Sequence, residues 1–280
     1  MMQNLYNYGV DRLSYIDQGT GPTTLLLIHG FGEDNQIWSN QIEFLSKYYR
    51  IIAPNLPGVH CKPLPLHPSE IPAIHNYVKV MHNLMHHLNI EQYYVMGHSM
   101  GGYVGLAFAD YYTNHVIGLG LIHSTTYADS DAKKASRLKV AEFLKEFGTS
   151  KYLETATQNL FGPSFKSLHP AQIQDIIDSA SDISSEAMIQ FVVAMQNRQA
   201  YTHLLKQKQL PVWMIIGDAD IAIPIEDSLA QAELLPPDNV IVLKGIGHMG
   251  MLEATKDVNE GIYQFVQQAQ SNNINSTTNN

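Results

Sequence analysis

The sequence predicts an α/β fold, a doubly wound and mostly parallel sheet with one block of helices inserted into it. Three observations predict it. Short apolar, β-branched runs alternate with amphipathic stretches along most of the 280 residues, as they do when each strand returns through a helix. Between Ile122 and Leu210 the alternation stops, the pattern is helical, and the alternation then resumes. A Gly-x-Ser-x-Gly run, Gly97-His98-Ser99-Met100-Gly101, lies between a strand signal and a helix signal, the context of a sharp strand-to-helix turn.

Strands are expected at about 12–17, 24–29, 50–55, 93–97, 116–122, 212–216 and 240–244, with core helices near 34–47, 72–89, 100–112, 226–234 and 254–269. Leu25–Ile28 and Val212–Ile216 are uninterrupted apolar runs, the composition of strands covered on both faces. Within the insertion, helices are expected at roughly 130–147, 150–160, 170–180 and 185–205, broken at Gly148, Gly162-Pro163, His169-Pro170 and Ser184-Ser185. The chain thus divides into a core of residues 1–123 and 208–270 and a helical cap of residues 124–207 over the C-terminal edge of the sheet, where a lid excludes water. Residues 271–280, polar and of low complexity, are expected to form a disordered tail.

The chemistry sits at the ends of strands. A serine hydroxyl is a poor nucleophile until it is exposed, oriented and given a base. Ser99 has the exposed turn, and its flanking glycines let the backbone bend and pack closely. Read blandly, Ser99 is only a helix N-cap, a position serine favours. The rest of the chain argues otherwise. Asp220, with Asp218 as the alternative, follows the buried run Val212–Ile216 and is a candidate for orienting a base. His248 stands in the glycine-rich loop Gly245-Ile-Gly-His-Met-Gly250 after another strand signal, and an imidazole can take and return a proton near neutral pH. His29-Gly30-Phe31-Gly32 directly follows a strand, and the N–H groups of Phe31 and Met100 are candidates for stabilising an oxyanion. His29, His98, His123 and Met249 are expected to contact substrate. The chain order Ser…Asp…His is one of several in which this constellation occurs.

These pieces resemble the α/β-hydrolase superfamily, in its group of small capped esterases, lactonases and C–C hydrolases, over roughly residues 10–268. The matching runs are His29-Gly-Phe-Gly32, Asn55-Leu-Pro-Gly58, Gly97-His-Ser-Met-Gly-Gly102, Gly217-Asp-Ala-Asp220 with Pro224, and Gly247-His248. The resemblance implies Ser99 as nucleophile, Asp220 as acid and His248 as base, with oxyanion donors at Phe31 and Met100. The chain departs from the pattern at Asn55-Leu-Pro-Gly-Val-His60, where many relatives carry Asp-x-Pro-Gly-x-Gly. It implies hydrolysis of small, largely apolar carboxylic esters through an acyl-enzyme. The alternatives are a C–C bond or lactone hydrolase with the same residues, or a slow-turnover small-molecule receptor.

Composition narrows the partners. A net charge of −9 argues against nucleic acid or an anionic membrane surface, leaving a small-molecule substrate, with the oligomeric state open. No cofactor is implied. His82 and His86 have an i, i+4 spacing, but no H-E-x-x-H pattern and no third ligand accompany them, so no metal is expected. The single cysteine, Cys61, and an N-terminus lacking a basic segment and an apolar run give a cytoplasmic expectation.

Overall fold

The structure, a computed structural model, describes the chain except residues 9–10, 68, 208–209 and 279–280. Eight strands form one sheet: β1 (Asn4–Tyr8), β2 (Asp11–Gln18), β3 (Thr24–Ile28), β4 (Arg50–Pro54), β5 (Tyr93–His98), β6 (Val116–Ile122), β7 (Val212–Gly217) and β8 (Val240–Leu243). Their order across the sheet is β1-β2-β4-β3-β5-β6-β7-β8. β1 and β2 pair antiparallel, as do β2 and β4, and every other neighbouring pair is parallel. Each parallel step needs a crossover, which the helices supply.

The helices of the core are α1 (Ser39–Leu45), α2 (Ile74–His87) and α3 (Met100–Tyr111). After β6 the chain leaves the sheet for α4 (Asp131–Ala156), α5 (Pro163–Leu168), α6 (Pro170–Ala180), α7 (Ser185–Gln196) and α8 (Thr202–Lys206). It returns through β7 to α9 (Ile225–Ala232), α10 (Gly250–Glu253) and α11 (Thr255–Thr278). Strand alternation sends successive side chains to opposite faces. On β5, Tyr94 packs edge-on to Phe265 of α11, whereas Val95 and Leu119 of β6 face Gly105 of α3. α3 and α11 therefore cover opposite faces. Every residue of β3, β5 and β7 is buried, as uninterrupted apolar runs require.

Several expectations are corrected. β1 was not expected; it is an edge strand whose exposed and covered residues alternate, held by pairing to β2 rather than by a hydrophobic run. The helix expected at 34–47 begins as a 3₁₀ turn at Asn35–Trp38, capped by the Asp34 side chain, which accepts from the Gln36 N–H at 2.8 Å. The break expected at Gly148 is present, with the backbone there out of the helix (φ 82°, ψ 172°) in a conformation that favours glycine, so α4 is two helices joined at a kink; the second ends at Ala156, and a 3₁₀ turn covers Thr157–Leu160. The helix expected at 185–205 stops at Gln196, because Arg198 and Tyr201 turn to bond the backbone of Tyr127 and Thr126. The final helix continues to Thr278, into the segment whose composition suggests disorder; residues 279–280 lie outside the described part. No described helix is long and apolar enough to cross a membrane.

Candidate active site

The parallel strands β3, β5, β6 and β7 end at one edge, and the loops that leave them meet there. Ser99 follows β5 with φ 50° and ψ −115°, a conformation a non-glycine residue adopts only where its surroundings enforce it. They do so from three sides. The Ser99 N–H donates to the Ile122 carbonyl at 3.0 Å, and its own carbonyl accepts from the Ser124 hydroxyl at 2.8 Å and the Gly102 N–H at 2.9 Å. A Cβ at Gly97 would strike the Gly101 carbonyl, and one at Gly101 the Ile28 carbonyl, so this tight crossing of strand and helix requires both glycines.

Asp220 and His248 meet across two loops. His248 Nδ1 donates to Asp220 Oδ2 at 2.7 Å, which fixes the tautomer and leaves Nε2 as an acceptor. The other carboxylate oxygen, Oδ1, accepts from the N–H groups of Ala222 at 2.8 Å and Ile223 at 3.2 Å. Burial alone would raise the Asp220 carboxyl; the imidazoles of His248 and His123 beside it outweigh burial and hold Asp220 well below the ordinary carboxylate range. Asp218 does something else, accepting from the Gly245 N–H and so tying the loop that leaves β7 to the loop that leaves β8.

A cavity of about 200 Å³ opens at this edge. Ser99, His248, Met249 and Phe31 line it from the core, and Val140, Leu153, Leu160 and Met195 from the inserted helices. Among the described residues the N–H groups of Phe31 and Met100 carry no hydrogen bond to a protein acceptor, as expected at a loop and at the first position of a helix.

Three histidines expected to contact substrate lie behind the cavity instead. His29 is fully buried: Nδ1 donates to the Gly30 carbonyl at 2.8 Å, Nε2 accepts from the Leu56 N–H at 3.0 Å, and burial lowers its pKa. His98 lies between Glu33, 2.9 Å from its Nδ1, and the His248 carbonyl, 2.8 Å from its Nε2. Both partners accept, so the imidazole is doubly protonated; burial would lower its pKa, and the Glu33 charge raises it. His123, at φ 46°, packs its ring against Asp220 with Nδ1 3.7 Å from Oδ2. Burial pushes it down to about 4, so it is neutral. The reason is common to all three: each follows or ends a strand, and its side chain points into the protein beneath the loops. Met249 does line the cavity.

Two acids were not anticipated. Glu33 binds the Gly30 N–H at 2.7 Å as well as His98, so one carboxylate joins the loop after β3 to the turn after β5. Glu253 accepts from the N–H groups of Gly162 at 2.7 Å, Gly247 at 3.1 Å and Met249 at 3.1 Å, while the His248 N–H donates to the Leu160 carbonyl at 2.6 Å. The only sequence signal for Glu253 is an acid in the first turn of a short helix after the histidine loop, favourable beside free N–H groups.

Comparison with known proteins decides the family. Residues 23–255 match the alpha/beta hydrolase fold family. The chain belongs to it. An esterase from Thermogutta terrifontis superposes with a TM-score of 0.86 at 27% identity, covering 96% of this chain and 99% of that one. The (E)-2-((N-methylformamido)methylene)succinate hydrolase of Acinetobacter baylyi is 24% identical over 90% of this chain and 93% of its own. An enol-lactonase from Burkholderia xenovorans shares the fold, with a TM-score of 0.82 at 18% identity over 94% of this chain and all of that one. Family membership and hydrolase relatives mark this alpha/beta hydrolase fold protein as a hydrolase.

Proposed function

We propose that this alpha/beta hydrolase cleaves small, largely apolar carboxylic esters with Ser99 as nucleophile. One observation carries the proposal: a strained, half-buried serine and a histidine already hydrogen-bonded to a carboxylate line the same cavity, whose remaining walls are mostly apolar. Ser99 Oγ attacks the ester carbonyl carbon while His248 Nε2 takes its proton. Asp220 holds the imidazole in the required tautomer and stabilises its cation. The Phe31 and Met100 N–H groups donate to the developing oxyanion, a contribution of about 3 kcal/mol per donor in comparable sites. The alkoxide leaves with the proton from His248, and water, activated by the same imidazole, releases the acid. The helical insertion of residues 124–207 acts as the cap that shapes the acyl site and limits water.

The test is intact-mass detection of a fluorophosphonate adduct on wild type and Ser99→Ala, alongside hydrolysis of p-nitrophenyl esters of increasing chain length. Labelling of wild type alone, with turnover greatest for short acyl chains, is the expected result. Labelling without turnover of any ester would shift the assignment to a C–C bond or lactone hydrolase or a slow-turnover receptor. Absence of labelling would reject Ser99 as nucleophile.

A further inference from the structure

The first half of α4 turns one face to the cavity: Lys133, Ser136, Arg137 and Val140, spaced i, i+3, i+4 and i+7, all line it. Two of these four are cations, in a cavity otherwise walled mainly by Phe31, Leu153, Leu160 and Met195. Behind them, Arg198 lays its guanidinium carbon 4.0 Å above the ring of Tyr103, itself part of the wall.

One carboxylate serves the two arginines. Asp129, its side chain 1% exposed, takes Arg137 Nε at 3.0 Å on Oδ2 and Arg198 Nη1 at 2.6 Å on Oδ1. The remaining bonds of Arg198 go to the neutral carbonyls of Tyr127 and Met195, each at 3.0 Å. Lys133 Nζ donates to the Ala222 carbonyl at 3.1 Å, also neutral. Arg137 is bound through Nε alone, so among the described residues its two Nη groups have no protein acceptor, although the side chain is only 15% exposed.

The other acids near the cavity are committed elsewhere. Glu33 is neutralised by His98, Asp220 is bound by His248 and two backbone N–H groups, and Asp227, exposed to solvent, lines an adjoining cavity that Lys133 and Arg198 also border. Among the described residues, Asp129 is thus the one carboxylate bonded to this group of cations, and the Nη edge of Arg137 is left without an acceptor. A guanidinium edge held mostly out of water without an acceptor is costly until an anion meets it. The Lys133 amine is pushed down chiefly by partial burial of its side chain, with the charge of Arg137 adding to the effect.

We propose that the ester this hydrolase acts on carries a free carboxylate, which Lys133 and the open Nη edge of Arg137 bind across an apolar spacer from Ser99. The inference rests on the esterase reading for the scissile bond, and on the cation geometry alone for the charge. The substrate class is a half-ester of a short dicarboxylic acid, or an acyloxy acid with the carboxylate on the alcohol side.

The experiment compares each anionic ester with its neutral isostere. Monoethyl adipate is set against the same ester with its carboxylate converted to a primary amide, and 4-acetoxybutanoate against its amide. The expected result is a kcat/KM at least about tenfold higher for the anion in one of the pairs, the size of a charge-assisted contact. That ratio should fall close to one in Lys133→Met/Arg137→Met. Ratios near one in wild type for both pairs would overturn the proposal, as would a preference that survives the double substitution. If the double variant melts early, Lys133→Met alone, at an exposed position, should lower the ratio about threefold. Calorimetric binding of the same esters to Ser99→Ala separates this inference from the esterase reading. Tighter binding of the anion without wild-type turnover would keep the carboxylate site and reject the esterase, whereas equal binding with turnover would do the reverse.

Discussion

Glu33 and His98 form an ion pair at 2.9 Å with side chains only 4% and 0% exposed. The pair braces two loops of the proposed site and sits next to Ser99. Glu33 holds the Gly30 N–H beside the Phe31 loop, His98 precedes Ser99, and the far nitrogen of His98 holds the carbonyl of His248. A buried pair of this kind contributes position more than net stability, yet breaking it leaves an uncompensated charge.

Glu33→Gln should therefore cost about 3–5 kcal/mol of folding stability and lower kcat by about 10- to 100-fold through misplaced loops. The pH dependence has a definite sign. The lowered pKa of Glu33 contributes stability above its ordinary value of 4.5, lost as pH falls through the depressed value. The raised pKa of His98 contributes stability fully below its ordinary 6.5, lost as pH rises through the raised value. Urea unfolding should show the gap between wild type and variant widest between pH 4.5 and 6.5, narrowing on both sides; a gap that does not change with pH would reject the ion pair.

Asp220 and Asp218 should separate cleanly. Asp220→Asn is expected to reduce kcat about 10⁴-fold by favouring the wrong His248 tautomer. Asp218→Asn removes only charge from the acceptor of the Gly245 N–H and should change kcat by less than about threefold. Steady-state kinetics on a single short-chain ester reads both, and a larger loss for Asp218→Asn would reverse the assignment.

Glu253 ties the histidine loop to the start of α5 through three N–H groups, and Glu253→Gln leaves a single, weaker acceptor oxygen for them. The expected loss is about 1–3 kcal/mol, with faster hydrogen exchange at Gly247, Met249 and Gly162 and a lower kcat. Exchange that quickens in the sheet to the same extent would mean global unfolding rather than release of this loop.

His60 adopts φ 53°, a value that favours glycine. Its ring joins Asp34 of the core, 3.1 Å from Nε2, to Asp182 of the insertion, 3.2 Å from Nδ1. The hydrogen bond to Asp34, then the charge of Asp182, raises its pKa against partial burial. The stabilisation is fully present below 6.5 and lost as pH rises through the raised value. With a side chain 31% exposed the effect is small. His60→Gly relieves the strained φ while removing the bridge, so its Tm should trail wild type most at acid pH and equal or exceed it in alkali. A Tm difference of constant sign and size would exclude a charged bridge.

Most of the fold was legible in the sequence, because its signals are local. The apolar runs of β3, β5 and β7, the glycines that let β5 turn sharply into α3, and Gly148 in α4 each act within a few residues. β1 and the early end of α7 were not legible: pairing with β2 creates the one, and the bonds of Arg198 and Tyr201 to a distant loop create the other.

By itself the sequence determined the parallel sheet, the helical insertion and the three strand-end positions Ser99, Asp220 and His248, since hydrophobic period and turn chemistry are written in neighbouring residues. Only the tertiary structure decided which histidine serves which partner. His29, His98, His123 and His248 all occupy loops or strand ends, and no spacing tells a ring that lines a cavity from one that braces a loop beneath it. Direction decided it: His248 turns toward the cavity and Asp220, while His98 turns toward Glu33, a residue 65 positions away. The same holds for charge, because only the folded insertion brings Lys133 and Arg137 to the cavity wall and sets Arg137 and Arg198 on the single carboxylate of Asp129.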